Sequence, residues 1–291
     1  MNLNKHTVLF TTDKLYLPHL STALYSLLVN NKSFFFDIFI FTSGISKYDE
    51  NCLNKICNKN NCSLNIKILD DKIFDQLPTN FHFKSSNYYR LFAAELIDCD
   101  KCLYLDSDII ITRSIGKLFE IDLQNYYLAA VENPAFTRHI ELGMKRDSKY
   151  FNSGVMLINL SKWRNTRMKD LVFSRLLEKK YFFEFADQCG LNSIIDGNWL
   201  ELGLEYNLQT IMLNDFYYKI NLKNNEPIII HYSGSSKPWH IKNKHPYKSN
   251  YWFYRNKTPY KSIFPDDLQF KKIYNFFKLY FFKKTGIIKS L

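Results

Sequence analysis

The sequence predicts an α/β fold with a mainly parallel, right-handed wound sheet, on three observations. Short β-branched and aromatic runs alternate with stretches of helical apolar spacing through the first half of the chain. One apolar run, CLYLDSDIIIT at 102–112, reads as a central strand interrupted by two carboxylates. At 291 residues, 46% hydrophobic and 23% charged, the chain can bury a sizeable core as one large domain or as one domain with a small appendage. In such a sheet ligands bind beyond the carboxyl ends of the strands.

Taken in order, residues 7–11 (TVLFT) form a first strand. No glycine-rich loop follows it, which excludes a P-loop and a dinucleotide fingerprint. Asp13 and Tyr16 then sit at the carboxyl edge of that strand. Apolar spacing makes 17–28 a helix, 36–41 a strand, 48–58 a polar, Asn-rich helix and 64–69 a strand. Residues 88–96 (YYRLFAAEL) read as a helix feeding the strand at 102–112.

Strand side chains alternate faces, so Asp106 and Asp108 point the same way and Ser107 the other. Two like charges beside an apolar strand need compensation: a bound cation, or a strand-end position in a polar cleft. Hard oxygen ligands favour Mg²⁺ or Mn²⁺. The alternative is that Asp108 begins a turn or that the pair caps a neighbouring helix.

Residues 133–150 lack a clean period and carry mixed charges, which reads as a long loop placed to cover the cleft. Residues 151–160 (FNSGVMLINL) return to strand. Gly154 inside it marks either a close approach of ligand or backbone, or a bulge. In FADQCGLN at 185–192, Asp187 either caps a helix or lines the cleft with Gln188. A strand at 228–231 runs into His231, followed by a small-residue loop with Gly234 and then Lys237. Backbone N–H groups of such a loop, with a lysine, can hold a diphosphate. His231 either completes a metal shell or is simply hydrogen-bonded.

The net charge of +11 is confined to one end of the chain. From His231 onward there are 13 Lys and Arg against 2 Asp and Glu, while the first 230 residues balance at 26 of each. That asymmetry predicts an anionic surface met by one end of the molecule, and it argues against a nucleic-acid partner. In 265–291, Phe270, Ile273, Tyr274, Phe277, Tyr280 and Phe281 recur at helical spacing, with Lys271, Lys272, Lys278 and Lys283 mainly around the other side. This reads as an interfacial membrane helix, the alternative being a helix face buried against the body. No stretch approaches the ~18 apolar residues of a membrane span. A single Lys in residues 1–12 makes a secretory signal unexpected. Six cysteines do not make a disulfide scaffold, and free thiols in a reducing cytoplasm are expected. The expected location is therefore cytoplasmic, peripherally on the inner face of the cytoplasmic membrane. Residues 1–245 form the catalytic-type domain and 246–291 a small basic, aromatic, helical C-terminal region.

Taken together, YLDSDI, YFNSGVMLINLSKWR, FADQCGLN and HYSGSSKPWH, in this order, resemble glycosyltransferase family 8, with the bacterial lipooligosaccharide and lipopolysaccharide galactosyl- and glucosyltransferases nearest. The resemblance implies a GT-A fold and a retaining hexosyltransferase using a UDP-sugar donor, Mn²⁺ (or Mg²⁺), and an oligosaccharide or lipid-linked glycan acceptor. It matches Asp106, Asp108 and His231 to metal ligands, and Gly234 and Lys237 to pyrophosphate contacts. Thr11, Asp13, Tyr16 and Ser107 fall in the nucleotide-binding set. Arg90 and Asn152 are matched to the donor sugar, and Asp187 and Gln188 to the catalytic positions. Either Gln188 or Asp187 attacks as a nucleophile, or the acceptor enters on the face the UDP leaves; a weakly basic amide favours the second. Two residues depart from the family: Cys189 stands where relatives often carry an acid, and Leu15 where they carry a polar residue. The competing reading is an anionic-glycan or nucleic-acid binding module without catalysis.

Overall fold

A computed structural model describes residues 5–77, 85–178, 183–214, 226–262 and 267. The chain opens with β1 (Lys5–Thr11), α1 (Leu17–Val29), β2 (Phe35–Thr42), α2 (Lys47–Cys57) and β3 (Cys62–Ile68), the alternation the sequence predicts. β1, β2 and β3 pair in parallel, stepping outward. After a 3₁₀ turn at Tyr89–Phe92 and a short α3 (Ala93–Leu96), the chain returns to the opposite side of β1 as β4 (Lys101–Leu105), again parallel. Strand order therefore reverses between β1 and β4, the kind of switch point at whose carboxyl ends ligands bind in such sheets.

Beyond β4 come β5 (Ile109–Ile111), α4 (Gly116–Glu120), β6 (Leu128–Glu132), β7 (Phe151–Asn159), α5 (Leu160–Thr166), α6 (Met168–Leu176), α7 (Ala186–Ile195) and β8 (Leu200–Glu201). The large sheet has the order β3-β2-β1-β4-β7-β6-β8. β7 alone runs against its neighbours, so its first residues lie beside the last residues of β4, with Val155 opposite Leu105. β9 (Leu208–Gln209) and β10 (Ile229–His231) join β5 in a second, three-stranded sheet. Last comes α8 (Lys248–Arg255).

Alternation along the strands divides the core between the two faces. On β4, Leu103 and Leu105 join Leu20, Leu24 and Leu27 of α1, while Cys102 and Tyr104 join Tyr88, Leu91, Trp163 and Leu191 on the other face. Tyr251 and Tyr254 of α8 pack with Trp239 and with Ile110 and Ile230 of the small sheet. Residues 265 onward, apart from Asp267, lie outside the described residues, and with them the aromatic, lysine-rich stretch. Among the described residues no helix is long and apolar enough to cross a membrane. All six cysteines are free thiols.

Two expectations are corrected. Residues 102–112 are two strands in two different sheets, and Asp106, Ser107 and Asp108 form the turn between them. Carboxylates cannot be desolvated inside a sheet at tolerable cost, so the chain leaves the ladder where they begin. Residues 88–96 open as a 3₁₀ turn instead of an α-helix. The Arg90 Nε donates to the Asn87 carbonyl at 3.0 Å, occupying the acceptor that a regular helix would give to residue 91.

Candidate active site

The turn at Asp106–Asp108 is held on three sides. Asp106 N donates to Gly154 O at 2.8 Å, Ser107 Oγ donates to Thr11 O at 2.9 Å, and Tyr232 N donates to Asp108 O at 3.0 Å. Ser107 and Thr11, both expected at the nucleotide, thus join the turn to β1. The same turn brings the carboxylates to His231, whose Nε2 lies 3.6 Å from Asp106 Oδ2 and 3.4 Å from Asp108 Oδ1. One ligand atom from each of Asp106, Asp108 and His231 falls within a 4.8 Å cluster. Two carboxylate oxygens and an imidazole nitrogen converging so closely fit a divalent cation of the Mn²⁺ or Mg²⁺ type.

Such an approach requires a residue without a side chain on β7. A Cβ built on Gly154 would run into the His231 ring and would sit 2.8 Å from Asp106 Oδ2. Gly154 also lies in the register shift of β7 against β6, where Ala130 pairs with Met156 and Val131 with Asn152, so the bulge reading holds and the missing side chain makes room for His231 and Asp106.

Lys237 Nζ is bound to Asp108 Oδ2 and donates to Tyr232 O at 2.7 Å. Burial works to raise the Asp108 carboxyl, but Lys237 and His231 beside it prevail and hold it well below the usual carboxylate range. Gly234 turns the intervening loop with a φ of +85°, a left-handed conformation that glycine adopts without strain.

Arg90 is the junction of the site. Its guanidinium lies 3.2 Å from Asp106 Oδ1 and 3.1 Å from Asp187 Oδ2, donates to Ser153 O at 2.8 Å, and rests 4.2 Å above the centroid of the Tyr104 ring. Burial lifts the Asp187 carboxyl to about 6 despite the arginine. Asp187 lies in the first turn of α7 and does not cap it; the N-cap position is Phe185. Gln188, one residue on, accepts from Ser153 N at 2.9 Å and donates from its amide nitrogen to Tyr150 OH at 3.2 Å. Asn152 is buried near the start of β7.

Asp13 and Tyr16 stand at the carboxyl end of β1. Asp13 Oδ1 accepts from Leu15 N and Tyr16 N, both at 2.9 Å, shaping the entry to α1. Tyr16 meets Trp239 edge-on at 5.7 Å between centroids. Residues 133–150 carry a 3₁₀ turn at Ile140–Leu142, and Phe136, Leu142, Met144 and Tyr150 bury together with Cys189.

The sequence reading missed Tyr104, Ser153, Tyr150 and Asn207. Tyr104 OH donates to Asp106 Oδ1 at 2.6 Å and meets Thr11 Oγ1 at 2.9 Å. A phenol between two leucines, two residues before Asp106, was the available signal. Asn207 lies in a stretch with no period to mark it, and only the fold carries it to His231.

The sequence model of Glycosyl transferase family 8 matches residues 7–243. Glycosyltransferase GlyF of Streptococcus pneumoniae serotype 4 is 30% identical over 81% of this chain, which spans only 57% of GlyF. Lipopolysaccharide 1,2-glucosyltransferase of Escherichia coli strain K12 is 25% identical over 98% of this chain and 88% of its own length. In structure, the galactosyltransferase LgtC in complex with donor and acceptor sugar analogues superposes with a TM-score of 0.76 at 24% identity, covering 90% of this chain and 98% of LgtC. The fold is GT-A-like, as the resemblance implies.

Proposed function

Because the chain belongs to glycosyl transferase family 8, we propose that it transfers a hexose, galactose or glucose, from a UDP-sugar to a hydroxyl of a lipooligosaccharide- or lipopolysaccharide-type acceptor, with retention of configuration. The observation that carries this reading is the convergence of Asp106, Asp108 and His231 within 4.8 Å at the end of the sheet where strand order reverses. Asp106, Asp108 and His231 would hold a divalent ion, which when bound would supply positive charge for a departing diphosphate. The names of the lipopolysaccharide glucosyltransferase and of LgtC support the sugar and acceptor classes.

The chain's own residues divide the remaining work. Lys237, with backbone N–H groups around Gly234, holds the diphosphate, and binding it more tightly as charge develops lowers the barrier. Thr11, Asp13 and Tyr16 hold the uridine at the end of β1. Arg90 and Asn152 orient the hexose. Gln188 makes a poor nucleophile, since its carbonyl oxygen already accepts from Ser153 N at 2.9 Å and lies 3.3 Å from Ser153 Oγ. Asp187 is buried and tied to Arg90 at 3.1 Å. The acceptor hydroxyl therefore attacks on the face that UDP vacates, passing its proton to the leaving phosphate. The basic aromatic end of the chain holds the enzyme against an anionic membrane surface. A binding module without catalysis leaves the half-buried acid–imidazole cluster unexplained.

The test is a screen of UDP-galactose and UDP-glucose for UDP release, with and without truncated lipooligosaccharide acceptor. Release that requires Mn²⁺ and is lost in Asp106→Ala and Asp108→Ala supports the reading, and an α-linked product shows retention. Release indifferent to chelator and to both substitutions overturns the metal assignment. A sugar adduct trapped on residue 187 or 188 overturns the same-face route.

A further inference from the structure

One backbone donor fixes the orientation of two buried amides and, through them, of a ring. Gly154 N lies 3.0 Å from Asn152 Oδ1. A backbone N–H can only donate, so the Asn152 atom facing it is oxygen. Asn207 approaches that same oxygen at 2.9 Å and must present its NH₂ group there. Its carbonyl oxygen is then the atom 3.0 Å from His231 Nδ1. A carbonyl oxygen only accepts, so Nδ1 carries the proton and the neutral ring leaves Nε2 bare. Nε2 is the nitrogen that faces Asp106 and Asp108.

The fold explains why residue 207 can do this. Asn207 ends the 3₁₀ turn Leu204–Tyr206 and enters β9, which pairs in parallel with β10, Leu208 beside Ile230 and Gln209 beside His231. Its side chain is fully buried, so an amide without partners there would be strongly disfavoured.

We propose that Asn207 is a positioning residue that sets the tautomer of His231 for metal binding and, through its other end, adds a second donor to the Asn152 oxygen that Gly154 N already holds. The proposal rests on Asp106, Asp108 and His231 being metal ligands. Asn207 touches neither ion nor substrate. It supplies the outer partner that a metal-bound imidazole requires, and loss of such a partner typically weakens metal affinity about 10–100-fold.

The experiment uses the full chain labelled with ¹⁵N. Long-range ¹H–¹⁵N spectra of the metal-free protein report the His231 tautomer, its signals assigned by their absence in His231→Gln, and Mn²⁺ affinity is read from the electron paramagnetic resonance of the free ion. The wild type is expected as Nδ1–H. Asn207→Leu is expected to lose that preference and to bind Mn²⁺ about 10–100-fold more weakly. Asn207→Asp keeps an acceptor for Nδ1 but cannot donate to Asn152. It is expected to retain the tautomer and bind Mn²⁺ at least as tightly. A wild-type ring protonated on Nε2 overturns the proposal whether or not any variant folds. So does an Asn207→Leu protein with unchanged melting, tautomer and affinity. An Nδ1–H wild type whose weak Mn²⁺ binding is indifferent to Asp106→Ala refutes the metal reading of the site while upholding the bond from His231 to Asn207.

Discussion

At the scale of single residues, the absence of a side chain at 154 matters as much as the charges around it. Gly154→Ala places a methyl group against the His231 ring and 2.8 Å from Asp106 Oδ2. The strand has no slack, since eight of the nine residues of β7 are buried. We expect this variant to fold with a loss of about 1–3 kcal/mol and to lose most Mn²⁺-dependent turnover, measured by denaturant unfolding and UDP release. His245 gives a second prediction, away from the acids. Its Nδ1 accepts from Tyr247 N at 3.2 Å, and burial holds the ring well below its ordinary value, at about 4. The folded ring stays neutral while the unfolded chain takes up a proton below 6.5, so this contribution is complete above about 6.5 and disappears as pH falls through 4. The wild type should lose up to about 3 kcal/mol over that interval relative to His245→Asn, whose carbonyl can still accept from residue 247. Parallel stability curves for the two proteins between pH 7 and 4 would contradict this.

Among the elements, α7 carries Asp187 and Gln188, and its seat against α6 depends on Gly190. A Cβ there would lie 2.8 Å from Val172 Cγ1 and 3.2 Å from Leu176 Cδ2. Gly190→Val should therefore lift the helix off its neighbour, costing about 1–3 kcal/mol and lowering kcat through the displaced pair Arg90–Asp187. Unchanged melting and kcat would show that α7 is held elsewhere. β1, β2, β7 and β10 were legible because each buries a β-branched or aromatic run, whereas β6 and the two-residue β8 and β9 were not read from the sequence; the acidic pair stood out as charge within such a run. The break at Asp106 was not legible. Side chains alternate with the same period whether 101–111 is one strand or two, and what separates the readings is the distant β10, which takes β5 as its partner. The tie between Arg90 and Asp187 was equally hidden, because 97 residues separate them and only the antiparallel return of β7 makes them neighbours.

For the molecule as a whole, Asp106, Asp108, Arg90 and Asp187 lie in a charge-balanced body, whereas His231 and Lys237 open the stretch that carries the excess of +11. Each lysine near an anionic surface contributes about 1 kcal/mol. Replacing Lys271, Lys272, Lys278 and Lys283 with Gln in the full-length protein should sharply reduce retention on phosphatidylserine vesicles at physiological salt, with Mn²⁺-dependent UDP release in solution unaltered. Equal sedimentation with the vesicles would assign the basic end another role. The two sheets have a further consequence. Asp106 follows the last residue of β4 in the seven-stranded sheet, whereas His231 closes β10 of the three-stranded one, so the cluster of Asp106, Asp108 and His231 straddles a seam between the two sheets. Manganese should act as a rivet across that seam: chelation would loosen the small sheet first, and amides of β9 and β10 would exchange with deuterium before those of β1 and β2.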